Sequence, residues 1–122
     1  MKTILFSFFI LFSSHVGAQS MSSIVENHVF VMCDEYGTPS DMGNGIHVYM
    51  VFHKNGSCNM LMGEDLSSAI DFGSMKSGKY SVSSSSVSFT WNDTGKGNTW
   101  RRRGNTDDLT TDGNIIKNLG GF

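Results

Sequence analysis

The chain has 122 residues, with 9 basic and 11 acidic side chains and a formal net charge of −2. That length suits one domain with a modest core, and the slight acidic balance speaks against nucleic acid, which calls for a basic surplus. Glycine is frequent, proline occurs once (Pro39) and serine is abundant, a composition of short strands joined by turns.

Met1–Ala18 is built like a secretory signal peptide. Lys2 supplies the positive charge, Ile4–Phe12 the apolar stretch, and Val16-Gly17-Ala18 the small residues before a cleavage point after Ala18. The apolar stretch is too short to remain across a bilayer. No cysteine follows it to carry a lipid anchor. The expected product is one exported domain, residues 19–122, in the periplasm and without a membrane anchor. Losing Lys2 leaves 8 basic against 11 acidic residues, a formal charge of −3. In an oxidising compartment Cys33 and Cys58 are expected to close a disulfide, with two buried thiols as the alternative. On the chain-entropy model such a bridge contributes roughly 3–4 kcal/mol.

Ile24–Met32 is expected as the first strand, with Val25, Val29 and Val31 on one face. Asp34–Gly45 reads as a loop. Ile46–His53 is the clearest strand: Ile46, Val48, Met50 and Phe52 share one side. Asn55-Gly56 predicts a tight turn with positive φ at both residues, and Cys58–Met62 returns. Gly63–Met75 is ambiguous between a helical turn capped by Asp65 or Ser67 and a loop with a short strand. Gly78–Ser83 and Ser86–Asn92 form a second hairpin, with Tyr80 and Val82, then Val87, Phe89 and Trp91, on single faces. Asn98–Arg103 follows. Asp112-Gly113 turns a last hairpin between Asp107–Thr111 and Asn114–Leu119. The fold class is all-β: seven or eight antiparallel strands in serial hairpins, as a small barrel or a two-sheet sandwich, with the barrel favoured.

Catalytic motifs are scarce. His47 and His53 are six residues apart on one strand, about 20 Å at strand rise, too far to share a metal. Adjacent carboxylates such as Glu64-Asp65 and Asp107-Asp108 face opposite ways on a strand, so none is a ready acid/base pair. No enzyme activity, metal or cofactor is expected. Two features remain. Arg101-Arg102-Arg103 lies beside Trp100, with Lys96 in the preceding turn. It reads either as a cation-protected edge strand or as a basic projection that docks in an acidic cleft. The aromatics Tyr49, Tyr80, Trp91 and Trp100 divide between core and an interface.

Three stretches resemble the periplasmic and membrane-bound inhibitors of c-type lysozyme. They are Val31-Met32-Cys33-Asp34 followed by a glycine, Ser77-Gly78-Lys79-Tyr80, and Thr94-Gly95-Lys96-Gly97. The resemblance implies a small β-barrel whose Ser77 and Lys96 enter a lysozyme active site, with Tyr80 in support. In this chain the serine-to-tyrosine spacing is short and Gly95 interrupts the Thr-Lys pair. As a whole, the chain is also similar to the periplasmic immunity proteins of type VI secretion systems, of the Vibrio type that neutralises the peptidoglycan-hydrolysing tail of a spike protein. Both resemblances imply an inhibitor that blocks the cleft of a cell-wall-hydrolase effector. The partner-binding residues expected are Ser77, Tyr80, Lys96, Trp100, Arg101 and Arg103, and a homodimer is compatible with that role. The alternative is a small exported lipocalin-like carrier, with Met50, Met60, Met62 and Met75 lining an apolar cavity.

Overall fold

The computed structural model describes residues 19–122; the expected signal peptide, Met1–Ala18, lies outside the described residues. Eight antiparallel strands follow one another round a closed barrel: β1 (His28–Met32), β2 (His47–Phe52), β3 (Ser57–Gly63), β4 (Lys76–Val82), β5 (Ser86–Trp91), β6 (Gly97–Arg102), β7 (Leu109–Thr111) and β8 (Asn114–Gly121). β8 pairs with β1, from His28↔Gly121 to Met32↔Ile116, and closes the ring. The barrel was the favoured expectation, and the sandwich is not formed. Two short helices complete the fold, α1 (Met21–Val25) before β1 and α2 (Leu66–Phe72) between β3 and β4.

An eight-stranded barrel leaves an interior that side chains can just fill. Here Phe30, Met50, Phe52, Cys58, Val87, Phe89, Trp100, Leu109 and Ile116 point inward and are buried. Phe52 stands at the centre. Its ring meets those of Phe30, Tyr80, Phe89 and Trp100 edge-on, at centroid distances of 5.7, 5.0, 6.4 and 6.2 Å. Offset and edge-to-face pairs of this kind add to the apolar burial itself.

The first expected strand is half right. Met21–Val25 is a helix, capped by the Ser20 hydroxyl, which accepts from the Ser23 amide. Its Met21, Ile24 and Val25 enter the interior cluster and plug one end of the barrel. Val25 thus does not share a face with Val29 and Val31, which point outward. Asn118 of β8 holds the plug in place by donating from Nδ2 to the Ile24 carbonyl at 3.0 Å.

The expected Cys33–Cys58 disulfide is absent, and both residues are buried free thiols. The cause is strand parity. Cys33 continues the outward series Val29–Val31, whereas Cys58 points inward with Phe52. The barrel wall separates the two sulfurs, and a bridge needs Cβ atoms about 4 Å apart with converging vectors. Burial raises both thiol pKa values, that of Cys58 to about 11.

Turn chemistry separates the hairpins. Asp112 and Gly113 both have positive φ (49° and 82°), as a two-residue hairpin turn of the primed type needs. At Asn55-Gly56 only Gly56 does, at 95°, and its amide donates to the His53 carbonyl at 3.0 Å. That loop is a longer turn with a left-handed glycine, not the expected two-residue turn. Gly97 permits close approach: a Cβ there would lie 1.8 Å from the Phe89 carbonyl oxygen.

Thiol titration checks the cysteine placement. The native protein should react slowly with a thiol reagent. After denaturation without reductant it should show both thiols, where a disulfide would show none.

Candidate functional site

Two of the expected partner-binding residues point into the barrel, Trp100 buried and Tyr80 partly so. Trp100 is 3% exposed and packs inside the barrel, its ring centroid 4.8 Å from that of Phe89. Tyr80 points inward as well, packed on Phe52, and donates its hydroxyl to the His53 carbonyl at 2.6 Å. Alternation decides both: Trp100 and Tyr80 share register parity with Val87 and Phe89. Burial pushes the Tyr80 phenol up to about 12, and the charges of Glu26 and Cys58 act in the same direction.

The other four lie at the surface, in two groups. Ser77 and Lys96 meet at one end of the barrel, the end away from α1. The Asn92 amide donates to the Ser77 carbonyl at 2.9 Å, and the Trp91 amide to the Lys96 carbonyl at 2.8 Å. The Lys76 ammonium stands 5.8 Å from the Trp91 ring centroid in the same region, a cation–π contact. Arg101 and Arg103 lie at the far end of β6. Arg101 is five residues beyond Lys96, about 17 Å at strand rise. Arg102, between them, turns inward. Its Nε donates to the Thr106 carbonyl at 2.9 Å and its Nη1 to the Gln19 carbonyl. Arg102 therefore ties the start of the described chain to the β6–β7 loop.

The outer wall over β4, β5 and β6 is consistently polar. Lys79 faces Thr90 across the β4–β5 pair, Ser81 faces Ser88, and Ser86 faces Arg101. The Ser88 and Thr99 hydroxyls share a hydrogen bond of 2.9 Å. These three strands carry Lys76, Lys79, Arg101 and Arg102 and no carboxylate. Ser81, Ser86 and Ser88 lie on the outer face of β4 and β5, and Ser83–Ser85 form the turn between them.

The opposite wall is different in kind. β1 and β2 are apolar on both faces, and their outward residues Val29, Val31, Tyr49 and Val51 form a second cluster with Leu61 and Ala69. α2 covers part of it. The Asp65 carboxylate caps that helix, accepting from the Ser68 amide at 2.8 Å, which lowers its pKa, and Gly73 ends it at φ 101°. The helix rests directly on β3: a Cβ on Gly63 would come 2.6 Å from the Ala69 nitrogen. Between α2 and the last residues of β8 runs a groove of about 550 Å³. Val29, Val51 and Leu61 form its floor, Leu66 and Ile70 one side, and Leu119 and Phe122 the other. Its polar members include His53 and Asn59, whose Nε2 and Oδ1 are 2.9 Å apart. A shallower hollow of about 380 Å³ on the other flank of α2 includes Met62, Phe72 and Met75. Of the four methionines expected to line one cavity, Met50 and Met60 belong to the packed interior and the other two to this outer hollow.

Sequence reasoning missed the groove because its residues come from β1, β2, β3, α2 and β8. The available signal was the apolar character of both faces of β1 and β2, which requires that something cover the outside. No family model matches the chain, and no curated protein or solved structure matches it at a significant level.

Tyr80 gives a test of the interior. Its raised pKa favours the neutral phenol in the folded state. That contribution to stability is complete below the unfolded tyrosine value near 10 and is lost as pH rises through about 12. Absorbance titration should show one phenol ionising near pH 12 or only with unfolding. Tyr80→Phe should remove that late step and cost about 1 kcal/mol for the lost hydrogen bond.

Proposed function

We propose that this protein is a periplasmic inhibitor of the immunity type, which binds a lysozyme-like peptidoglycan hydrolase and blocks its cleft. The observation that supports this reading is the β4–β6 wall, whose strands carry no carboxylate and display Lys79 and Arg101 among hydroxyls, with Lys96 at its end in the turn that also holds Asp93. Glycosidase clefts hold a pair of carboxylates flanking the scissile bond. Cations brought against such a pair in a dewatered groove make charge-assisted hydrogen bonds, the stronger class. Lys96 and Arg101 lie about 17 Å apart along the barrel, a span suited to an extended sugar groove. Ser77 at the Lys96 end supplies a hydroxyl beside the cation.

Rigidity favours the same reading. Hairpin-connected strands around a filled core present the wall with little ordering cost on binding. Tyr80 and Trp100 act in this scheme from within, by setting the curvature and position of β4 and β6. Arg103 flanks the far end of the same wall. The lipocalin-like alternative has less support, because a Phe52-centred cluster occupies the interior where a carrier would hold its ligand.

Inhibition assays with single variants test the assignment. Lys96→Ala or Arg101→Ala should raise the inhibition constant against the target hydrolase at least tenfold, about 1.4 kcal/mol, with the melting temperature unchanged. Inhibition should weaken as salt rises, since exposed charges are screened. Full inhibition by both variants would remove the β4–β6 wall from the site.

A further inference from the structure

A groove of about 550 Å³ lies on the wall opposite β4–β6. We propose that it takes a single-chain, uncharged amphiphile with a hydroxyl-bearing head, of the monoacylglycerol kind. The proposal does not rest on the hydrolase reading: the groove is lined from β1, β2, β3, α2 and β8, and it meets the other wall through the Asn59–Ser77 hydrogen bond.

The argument starts from how polarity is distributed. The floor is aliphatic (Val29, Val51, Leu61), and both long sides are apolar. His53 and Asn59 stand together beside Phe122, the His53 and Phe122 ring centroids 5.6 Å apart. His53 Nε2 is engaged by Asn59, and Asn59 Nδ2 donates in turn to the Ser77 hydroxyl at 2.9 Å. Among the described residues no group engages His53 Nδ1. Asn59 Oδ1 accepts from Nε2–H, so in the neutral imidazole Nδ1 is an acceptor. A hydroxyl can donate to it. An apolar trough with one polar station matches a tail and a head, and about 550 Å³ falls within the range of small-ligand sites.

Other occupants fit less well. An extended peptide gains affinity by adding to a strand edge, but the groove floor is a sheet face within a closed ring. The peptide's N–H and C=O groups would lie against side chains and remain unpaired. A second copy would bind through a two-fold contact over α2. That contact would set Glu64, Asp65 and Asp71 against their own counterparts, and the helix has no basic residue in its last turn. Like charges facing across an interface are costly. The head station makes the choice between heads: with Asn59 Oδ1 taking the Nε2 proton, His53 Nδ1 is left as an acceptor, which pairs with a hydroxyl and not with a carboxylate.

The test uses 1-monolauroylglycerol as ligand and the neutral dye N-phenyl-1-naphthylamine as reporter on the purified protein. Monolauroylglycerol should displace the dye from one site per chain, and lauric acid at neutral pH should do so at least tenfold less well. Ile70→Asp and Leu119→Asp change positions that are 58% and 45% exposed, so both variants should fold, and each should weaken binding at least tenfold. His53→Leu should erase the preference for monolauroylglycerol over lauric acid. Failure of monolauroylglycerol to displace the dye, or equal binding of lauric acid by the unaltered protein, would overturn the proposal. So would a dimer in sedimentation velocity that Ile70→Asp dissolves, because a second copy would then fill the groove.

Discussion

Everything in this molecule is arranged around the ring of Phe52. Four aromatic neighbours, contributed by β1, β4, β5 and β6, meet it edge-on inside the barrel. A small domain has little apolar area to bury, so a filled barrel interior must carry most of its stability. The α1 plug closes one end of that interior with Met21, Ile24 and Val25. The cross-link expected in its place does not form. Packing and closure of the ring hold the two halves of the chain together.

Filling the inside leaves the outer face as the surface on which the strands differ. The two sides of the ring have opposite characters because the outward positions of their strands differ. Serine, threonine, lysine and arginine alternate with core residues along β4–β6. Valine, tyrosine and leucine occupy the same outward positions on β1–β3. One wall is therefore hydroxyl-rich and cationic and the other aliphatic. Asn59 links them through its hydrogen bonds to His53 on one side and Ser77 on the other.

Much of the ring was legible in the sequence. Alternation identified β2, β4 and β5, and Asp112-Gly113 marked its hairpin. Tyr80, Val82, Val87 and Phe89 alternate along β4 and β5, which is why their shared inward face could be read. Failures came where alternation carries no direction. β1 and β2 are apolar on both sides, so nothing local says which side faces in, and the parity of Cys33 against Cys58 was hidden. Ile24-Val25 looks like strand because β-branched residues favour it. The need to close the barrel end, with Ser20 as a cap, turns it into helix instead. Trp100 and the arginines were read as one patch since they adjoin in sequence, but successive residues of a strand face opposite ways. The groove was invisible because only the folded ring assembles it.

Xenon binding followed by methyl NMR tests the central claim most directly, since xenon enters apolar space wherever it exists. With the interior filled by side chains, xenon should shift methyl signals of Val29, Val51 and Leu61 on the outer wall. Those of Met50, Val87, Leu109 and Ile116 should stay unmoved. Saturable xenon shifts at these interior methyls would reveal a hollow barrel and contradict the account.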